Sequence, residues 1–145
     1  MTIDRLDTIK SFIGYHVTGF ILWSWRTTYC SQTTDGVYIA VDPDEGLPVS
    51  IPPLPPKPLI TGKGLSFPTV IGDSWQFDTY VIRTKNLNQS ISVPAGIFSC
   101  VEYEILDSSS VVGAIWSSPN MGIVKATLKV GSQTQVNELN SYKLQ

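Results

Sequence analysis

Hydrophobic and polar residues alternate along much of the second half of the chain. In residues 97–106 apolar side chains alternate with Glu102 and Glu104, and the same period of two returns in residues 123–130. A period of two places successive side chains on opposite faces of a strand. Further strands are predicted at residues 75–85, 90–93, 113–117 and 134–144. The pattern therefore predicts a meander of short antiparallel strands.

Turn-forming residues separate these predicted strands. Gly, Pro, Asn, Asp and Ser favour turns because each permits or fixes a turn conformation. The predicted turns cover residues 86–89, 94–96, 107–110, 119–122 and 131–132. Since consecutive strands joined by short turns pair side by side, this half predicts a sandwich, a barrel or a strongly curved sheet.

The first half of the chain has a less regular pattern. Residues 13–29 resemble a strand that is apolar on both faces and too long to run straight, so we expect a break at Gly19. Asp35 and Gly36 are a strong hairpin signal between this segment and a short strand at residues 37–41. A turn at residues 42–46 and a strand at residues 47–51 should follow.

The first residues of the chain have a different period. Ile3, Leu6, Ile9 and Phe12 recur every three residues, which favours a short helix over residues 2–12. Such a helix would have to dock on the sheet, because it is too short to be stable alone. We therefore expect at most one short helix, and it should lie near the N-terminus.

The sharpest change in composition is the Pro-rich stretch at residues 52–58. Proline has no N–H group, so this stretch should be an extended connector rather than a helix or a central strand. The 145 residues suit one domain, and neither half alone is large enough for a comfortable core. We predict a single domain over residues 1–145, all-β, built on a strongly curved antiparallel sheet that forms a half-barrel-like meander.

Composition and charge exclude some function classes. The net charge is −2 and Lys and Arg do not cluster, which argues against a nucleic-acid partner. Polar residues interrupt the most apolar run, residues 13–25, so we expect no transmembrane segment. The first residues, 1–5, lack the basic and apolar regions of a signal peptide.

The two cysteines leave two alternatives open. Cys30 and Cys100 could form a disulfide in an oxidising compartment, or they could be separate buried thiols. Their spacing is not that of a CxxC motif, and two cysteines with one histidine cannot complete a zinc site. We therefore predict no metal site and no cofactor.

The sequence also lacks the parts of a catalytic centre. His16 is the only histidine, and it lies in an apolar segment without a nucleophile motif to serve. Glu102 and Glu104 share one face of a predicted strand, so we expect them on a solvated surface rather than across a cleft. These observations predict that the protein is not an enzyme.

The tryptophans are the most suggestive side chains. Trp23 and Trp25 share one strand face, and Trp75 and Trp116 lie in the second half. Aromatic residues in such numbers usually build a core. The alternative is that these four tryptophans line an apolar ligand groove on a concave sheet.

Four segments of the second half also form a recognisable pattern. They are residues 71–75, 93–100, 116–125 and 138–142. In their order and spacing, residues 59–142 resemble the β-rich domain of bacterial cell-envelope proteins related to lipoprotein carriers. In that family a curved antiparallel sheet forms a half-open barrel over a hydrophobic concavity. The first half of the chain carries little of the resemblance.

The resemblance implies a location and a function. It implies the bacterial cell envelope, with the cytoplasm as the alternative. It also implies a non-catalytic domain that holds a hydrophobic ligand, such as a lipid or an acyl chain. The competing hypothesis is a structural or protein-interaction module whose own side chains fill the concave face.

Overall fold

The computed structural model describes residues 2–9, 12–18, 28–41, 55, 58, 60–119 and 121–141. Every regular element in these residues is a β-strand. The strands are β1 Thr2–Ile9, β2 Phe12–Thr18, β3 Thr28–Thr33, β4 Gly36–Val41, β5 Ile60–Ser66, β6 Ser74–Phe77, β7 Tyr80–Val93, β8 Gly96–Asp107, β9 Ser110–Ser118, β10 Gly122–Val130 and β11 Gln133–Glu138. A search of the described residues finds no helix of the length and hydrophobicity needed to cross a bilayer.

The strands form two open antiparallel sheets. Strands β1 to β5 form a five-stranded sheet in chain order, and β6 to β11 form a six-stranded sheet, also in chain order. Within each sheet, strands that follow one another in sequence pair side by side, and the described strands do not close a barrel. The predicted all-β, antiparallel meander is confirmed.

The prediction of a helix over residues 2–12 is wrong. Thr2–Ile9 is a strand that pairs antiparallel with β2. The three-residue spacing of Ile3, Leu6 and Ile9 is compatible with a helix, but so short a helix has little stability of its own. Pairing with β2 satisfies the same backbone groups with a ladder of hydrogen bonds.

The predicted strand at residues 75–85 is a hairpin. β6 and β7 are joined by a two-residue turn, and Asp78 has a φ of 54°. Asp is one of the few residues other than Gly that enters the left-handed region readily. The Asp78 turn therefore divides a segment whose alternation is otherwise continuous.

The predicted turn at residues 86–89 is a bulge inside β7. Thr84 pairs with Tyr103 and Gln89 with Cys100, so an advance of five residues along β7 matches an advance of only three along β8. Two residues of β7 therefore have no partner in the ladder. The backbone N–H of Asn88 donates to the Asn86 side chain, 3.3 Å away. The polar residues that suggested a turn thus accommodate a local irregularity without reversing the chain.

Most other predicted turns are confirmed. Two-residue turns at 34–35, 94–95, 108–109 and 131–132 join consecutive strands. The predicted break at Gly19 lies outside the described residues. The last strand is shorter than the predicted 134–144, because β11 ends at Glu138. The predicted elements at 42–51, and the Pro-rich stretch at 52–58 except for two exposed prolines, lie outside the described residues.

Hydrogen bonds to one carboxylate fix the β3–β4 hairpin. Asp35 accepts hydrogen bonds from Thr33 Oγ1 at 2.6 Å, Tyr38 Oη at 3.0 Å and Lys63 Nζ at 2.6 Å. The hydrogen bond from Lys63 is the largest of the effects that hold the pKa of Asp35 well below its ordinary value. The turn is therefore tied to β5 as well as to its own hairpin.

The main core lies between the two sheets. Side chains of β4 and β5 pack against those of β6 to β10, and Tyr103 of β8 is at the centre with no exposed surface. The buried members are Val37, Ile39, Leu65, Phe77, Ile82, Val101, Tyr103, Ile105, Ile115, Ala126 and Leu128. We call the side of the six-stranded sheet that carries Tyr103 its inner face and the opposite side its outer face.

Candidate functional site

Two of the four predicted ligand-binding tryptophans lie on opposite faces of the six-stranded sheet. Trp75 packs on the inner face, with its ring edge-on to Tyr103 at a centroid distance of 5.8 Å. Trp116 is opposite Glu102 in the β8–β9 ladder, so it lies on the outer face. Trp23 and Trp25 lie outside the described residues. The structure therefore does not bring Trp75 and Trp116 together in one groove.

Among the described residues, two buried polar atoms on the inner face have no hydrogen-bond partner. They are Nε1 of Trp75 and Oγ of Ser117, and both are buried. A buried polar atom without a partner costs about 1–3 kcal/mol, so such atoms are uncommon in folded proteins. Trp75 and Ser117 are the two sites of the described core at which a hydrogen-bonding group from outside the chain would gain most.

The outer face holds a network of four charged side chains on β7 and β8. Arg83 donates to Glu104 at 2.6 Å, and Lys85 lies 3.2 Å from Glu104 and 3.4 Å from Glu102. Glu102 and Glu104 are only 7% and 8% exposed, so the expectation of a solvated carboxylate pair is wrong. The antiparallel register of β7 and β8 places Arg83 opposite Glu104, whereas Lys85 lies at a register shift and reaches both carboxylates from there.

Each charge in this network stabilises its partners. The hydrogen bond from Arg83 is the main cause of the lowered pKa of Glu104, and burial opposes it. A hydrogen bond to Glu104 is the main cause of the raised pKa of Lys85. Both shifts favour the charged forms of Glu104 and Lys85 at neutral pH, as expected for paired structural charges.

The variant Glu104→Gln should lower the free energy of unfolding by about 2 kcal/mol at pH 7. The substitution replaces the carboxylate that pairs with Arg83 by a neutral, buried amide, so Arg83 loses its ionic partner. Because the pKa of Glu104 is lower in the folded state than its ordinary value of 4.5, the ionised carboxylate stabilises the fold fully above pH 4.5. This stabilisation is lost as the pH falls through the folded-state pKa of Glu104. Urea unfolding at several pH values should therefore show a difference from wild type that shrinks below pH 4.5.

A matched control for this variant is Glu138→Gln. Glu138 pairs with Lys125 at 2.7 Å, but the two side chains are 33% and 26% exposed, so the loss should be smaller. Equal losses from the two substitutions would contradict a special contribution from the outer-face network.

A second group of side chains meets at one end of the outer face. Val93, Cys100 and Val124 form a small buried cluster. Partly buried residues pack around it: Ile91, Ala95, Phe98, Trp116, Met121 and Leu139. All of these residues except Ile91 come from the last three of the four segments that carry the family resemblance, and we call the group the C-terminal junction.

Polar contacts link the strands at the C-terminal junction. Trp116 Nε1 donates to Gln89 Oε1 at 2.9 Å, and Lys125 Nζ lies 6.0 Å from the Trp116 ring centroid. Lys125 also pairs with Glu138 of β11. A cation of the same chain therefore lies over the indole ring, and Trp116 also packs against the cluster. This arrangement fixes Trp116 in place.

The cysteines are described only in part. Cys100 is a buried free thiol, its Sγ lies 3.7 Å from the Phe98 carbonyl oxygen, and burial raises its pKa. A thiol with a raised pKa is a weak nucleophile at neutral pH. The side chain of Cys30 lies outside the described part of the structure. Cys100 is free in this structure, and its disulfide with Cys30 stays a prediction for an oxidising compartment.

In the described ranges, groups of three or more His, Cys, Asp or Glu side chains that could hold a metal ion are absent. The side chain of His16 is outside those ranges. No family model, curated protein or solved structure matches this chain.

Proposed function

We propose that this chain is a non-catalytic structural or protein-interaction module whose core is filled by its own side chains. The environment of Tyr103 supports this proposal most strongly. Its hydroxyl donates to the Ser66 carbonyl of the other sheet at 3.0 Å, and Phe67 and Trp75 pack edge-on against its ring. An acyl chain on this face would have to displace these side chains from a close-packed core.

Binding of a hydrophobic ligand is the second candidate. It was predicted from the family resemblance, and one observation favours it. Trp75 Nε1 is a buried donor without an acceptor, and a carbonyl or carboxylate group of a ligand could accept its hydrogen. The separation of Trp75 from Trp116 is the reason that we rank this candidate second.

The outer face is the surface through which a protein partner would have access. It combines the charged network with apolar side chains that remain in contact with solvent: Val81 is 41% exposed, Val111 49% and Val136 51%. Mixed polar and apolar character is typical of non-obligate protein interfaces. We also propose the bacterial cell envelope as the location, which rests on the resemblance of residues 59–142 alone.

A fluorescence titration distinguishes the two candidates. We expect fatty acids of increasing chain length to leave the tryptophan emission of the full chain unchanged, since the inner face is occupied. The control variant Trp116→Phe removes a reporter on the outer face, and Trp75→Phe removes the reporter on the inner face. A saturable change that is lost only in Trp75→Phe would contradict the proposal and establish the carrier hypothesis.

A further inference from the structure

The residues that follow β11 cross the end of the six-stranded sheet. Leu139 has no regular secondary structure, but both its backbone N–H and its backbone carbonyl form hydrogen bonds. Its N–H donates to the Val124 carbonyl at 2.9 Å, and its own carbonyl accepts from the Ala95 N–H at 3.1 Å. Leu139 thereby connects the β7–β8 turn to β10, two parts of the sheet that are not neighbours in the strand order.

The described residues make few interactions that hold this crossing segment in place. The Leu139 side chain packs on the cluster of Val93, Cys100 and Val124 but is itself only half-buried. Residues 140 and 141 are exposed, and the neighbouring Lys125–Glu138 pair is partly solvated. Segments with few buried contacts open at a lower free energy than the core of the same protein.

The rest of the fold does not depend on the crossing segment. The main core between the sheets contains none of residues 139–141, and β8 keeps its ladders to β7 and β9 without them. Removing Leu139 from its position would break the two backbone bonds and expose the small cluster. Both sheets would keep their own hydrogen bonds.

We propose that residues 139–141 form a latch that opens independently of the two sheets and exposes the apolar cluster beneath it. The Cys100 thiol is 1% exposed and belongs to this cluster, so its chemical modification reports the open state. The Ala95 and Leu139 amide protons report the same event, because each donates one of the two latch hydrogen bonds.

Hydrogen exchange of the full chain tests independent opening. The Ala95 and Leu139 amides should exchange at least about tenfold faster than those of Tyr103 and Ile105 in β8, and their exchange should respond little to low urea concentrations. Exchange of all four amides at the same rate and with the same urea dependence would overturn the proposal, because the latch would then open only by global unfolding.

A labelling experiment tests the role of Leu139 itself. In a Cys30→Ala background, Leu139→Ala should raise the rate at which a maleimide modifies Cys100 by about tenfold under native conditions. Val136→Ala, in β11 but away from the cluster, should change the rate by less than about twofold. If Leu128→Ala in the main core raises the rate as much as Leu139→Ala, the latch hypothesis is wrong.

Discussion

The variant Tyr103→Ala should unfold the protein or lower its free energy of unfolding by about 4 kcal/mol. Tyr103 has no exposed surface, and its ring packs edge-on against Phe67, which follows β5, and against Trp75 of β6. The substitution creates a cavity at the centre of the main core and leaves the Ser66 carbonyl without its hydrogen bond. Urea denaturation followed by circular dichroism measures the loss.

The variant Tyr103→Phe separates the ring from the hydroxyl. It keeps the edge-on contacts with Phe67 and Trp75 and removes only the bond to Ser66, so we expect a loss of about 1 kcal/mol. The pKa of Tyr103 is raised by burial, which agrees with a hydroxyl that stays protonated as a donor. Similar losses for the two variants would contradict a central role of the ring in holding the sheets together.

The variant Gly36→Ala should cost about 3 kcal/mol. Gly36 follows the β3–β4 turn with a φ of 153°, and a Cβ atom there would clash with the Leu65 carbonyl oxygen of β5. A backbone atom in a paired strand cannot move away easily, so the hairpin and β5 would have to separate. Thermal and urea unfolding should both show the loss.

A glycine in open space is the matched control. Gly131 has a φ of 62° in the β10–β11 turn, and a Cβ atom there would meet nothing within 4 Å. Gly131→Ala should therefore cost only the backbone penalty, about 1 kcal/mol. A loss at Gly36 as small as that at Gly131 would contradict the close approach of β4 to β5.

Local sequence signals predicted much of the six-stranded sheet. Alternation identified β8 and β10, and residues with turn preference marked the ends of these strands. This worked because strands that pair with their neighbours in sequence need only local information to be placed. The Asp35–Gly36 hairpin was found for the same reason.

The errors arose where pairing or packing decides the outcome. The turn at Asp78 interrupts a continuous alternation, and the polar stretch at residues 86–89 remains paired to β8 as a bulge. Glu102 and Glu104 look like surface residues because their cations lie on another strand. The sequence shows that Arg83 and Lys85 lie two residues apart and so share one face of a strand. It does not show which residues of β8 lie opposite them.

The candidate sites were less predictable than the fold. The sequence predicted that four tryptophans form one group. The face of the sheet on which each tryptophan lies depends on strand register, and this register places Trp75 and Trp116 on opposite faces. The C-terminal junction was present in the sequence only as separate segments of the resemblance. The bonds of Leu139 to Ala95 and Val124 join residues that are distant along the chain, so no local pattern predicts them.

Native mass spectrometry of protein purified without detergent or denaturant tests the central claim most directly, namely that the chain fills its own core. The account predicts a single species at the mass of the chain, 15.9 kDa, with no lipid in an organic extract of the same sample. A stoichiometric lipid or fatty-acid adduct that disappears in Trp75→Phe and persists in Trp116→Phe would contradict it.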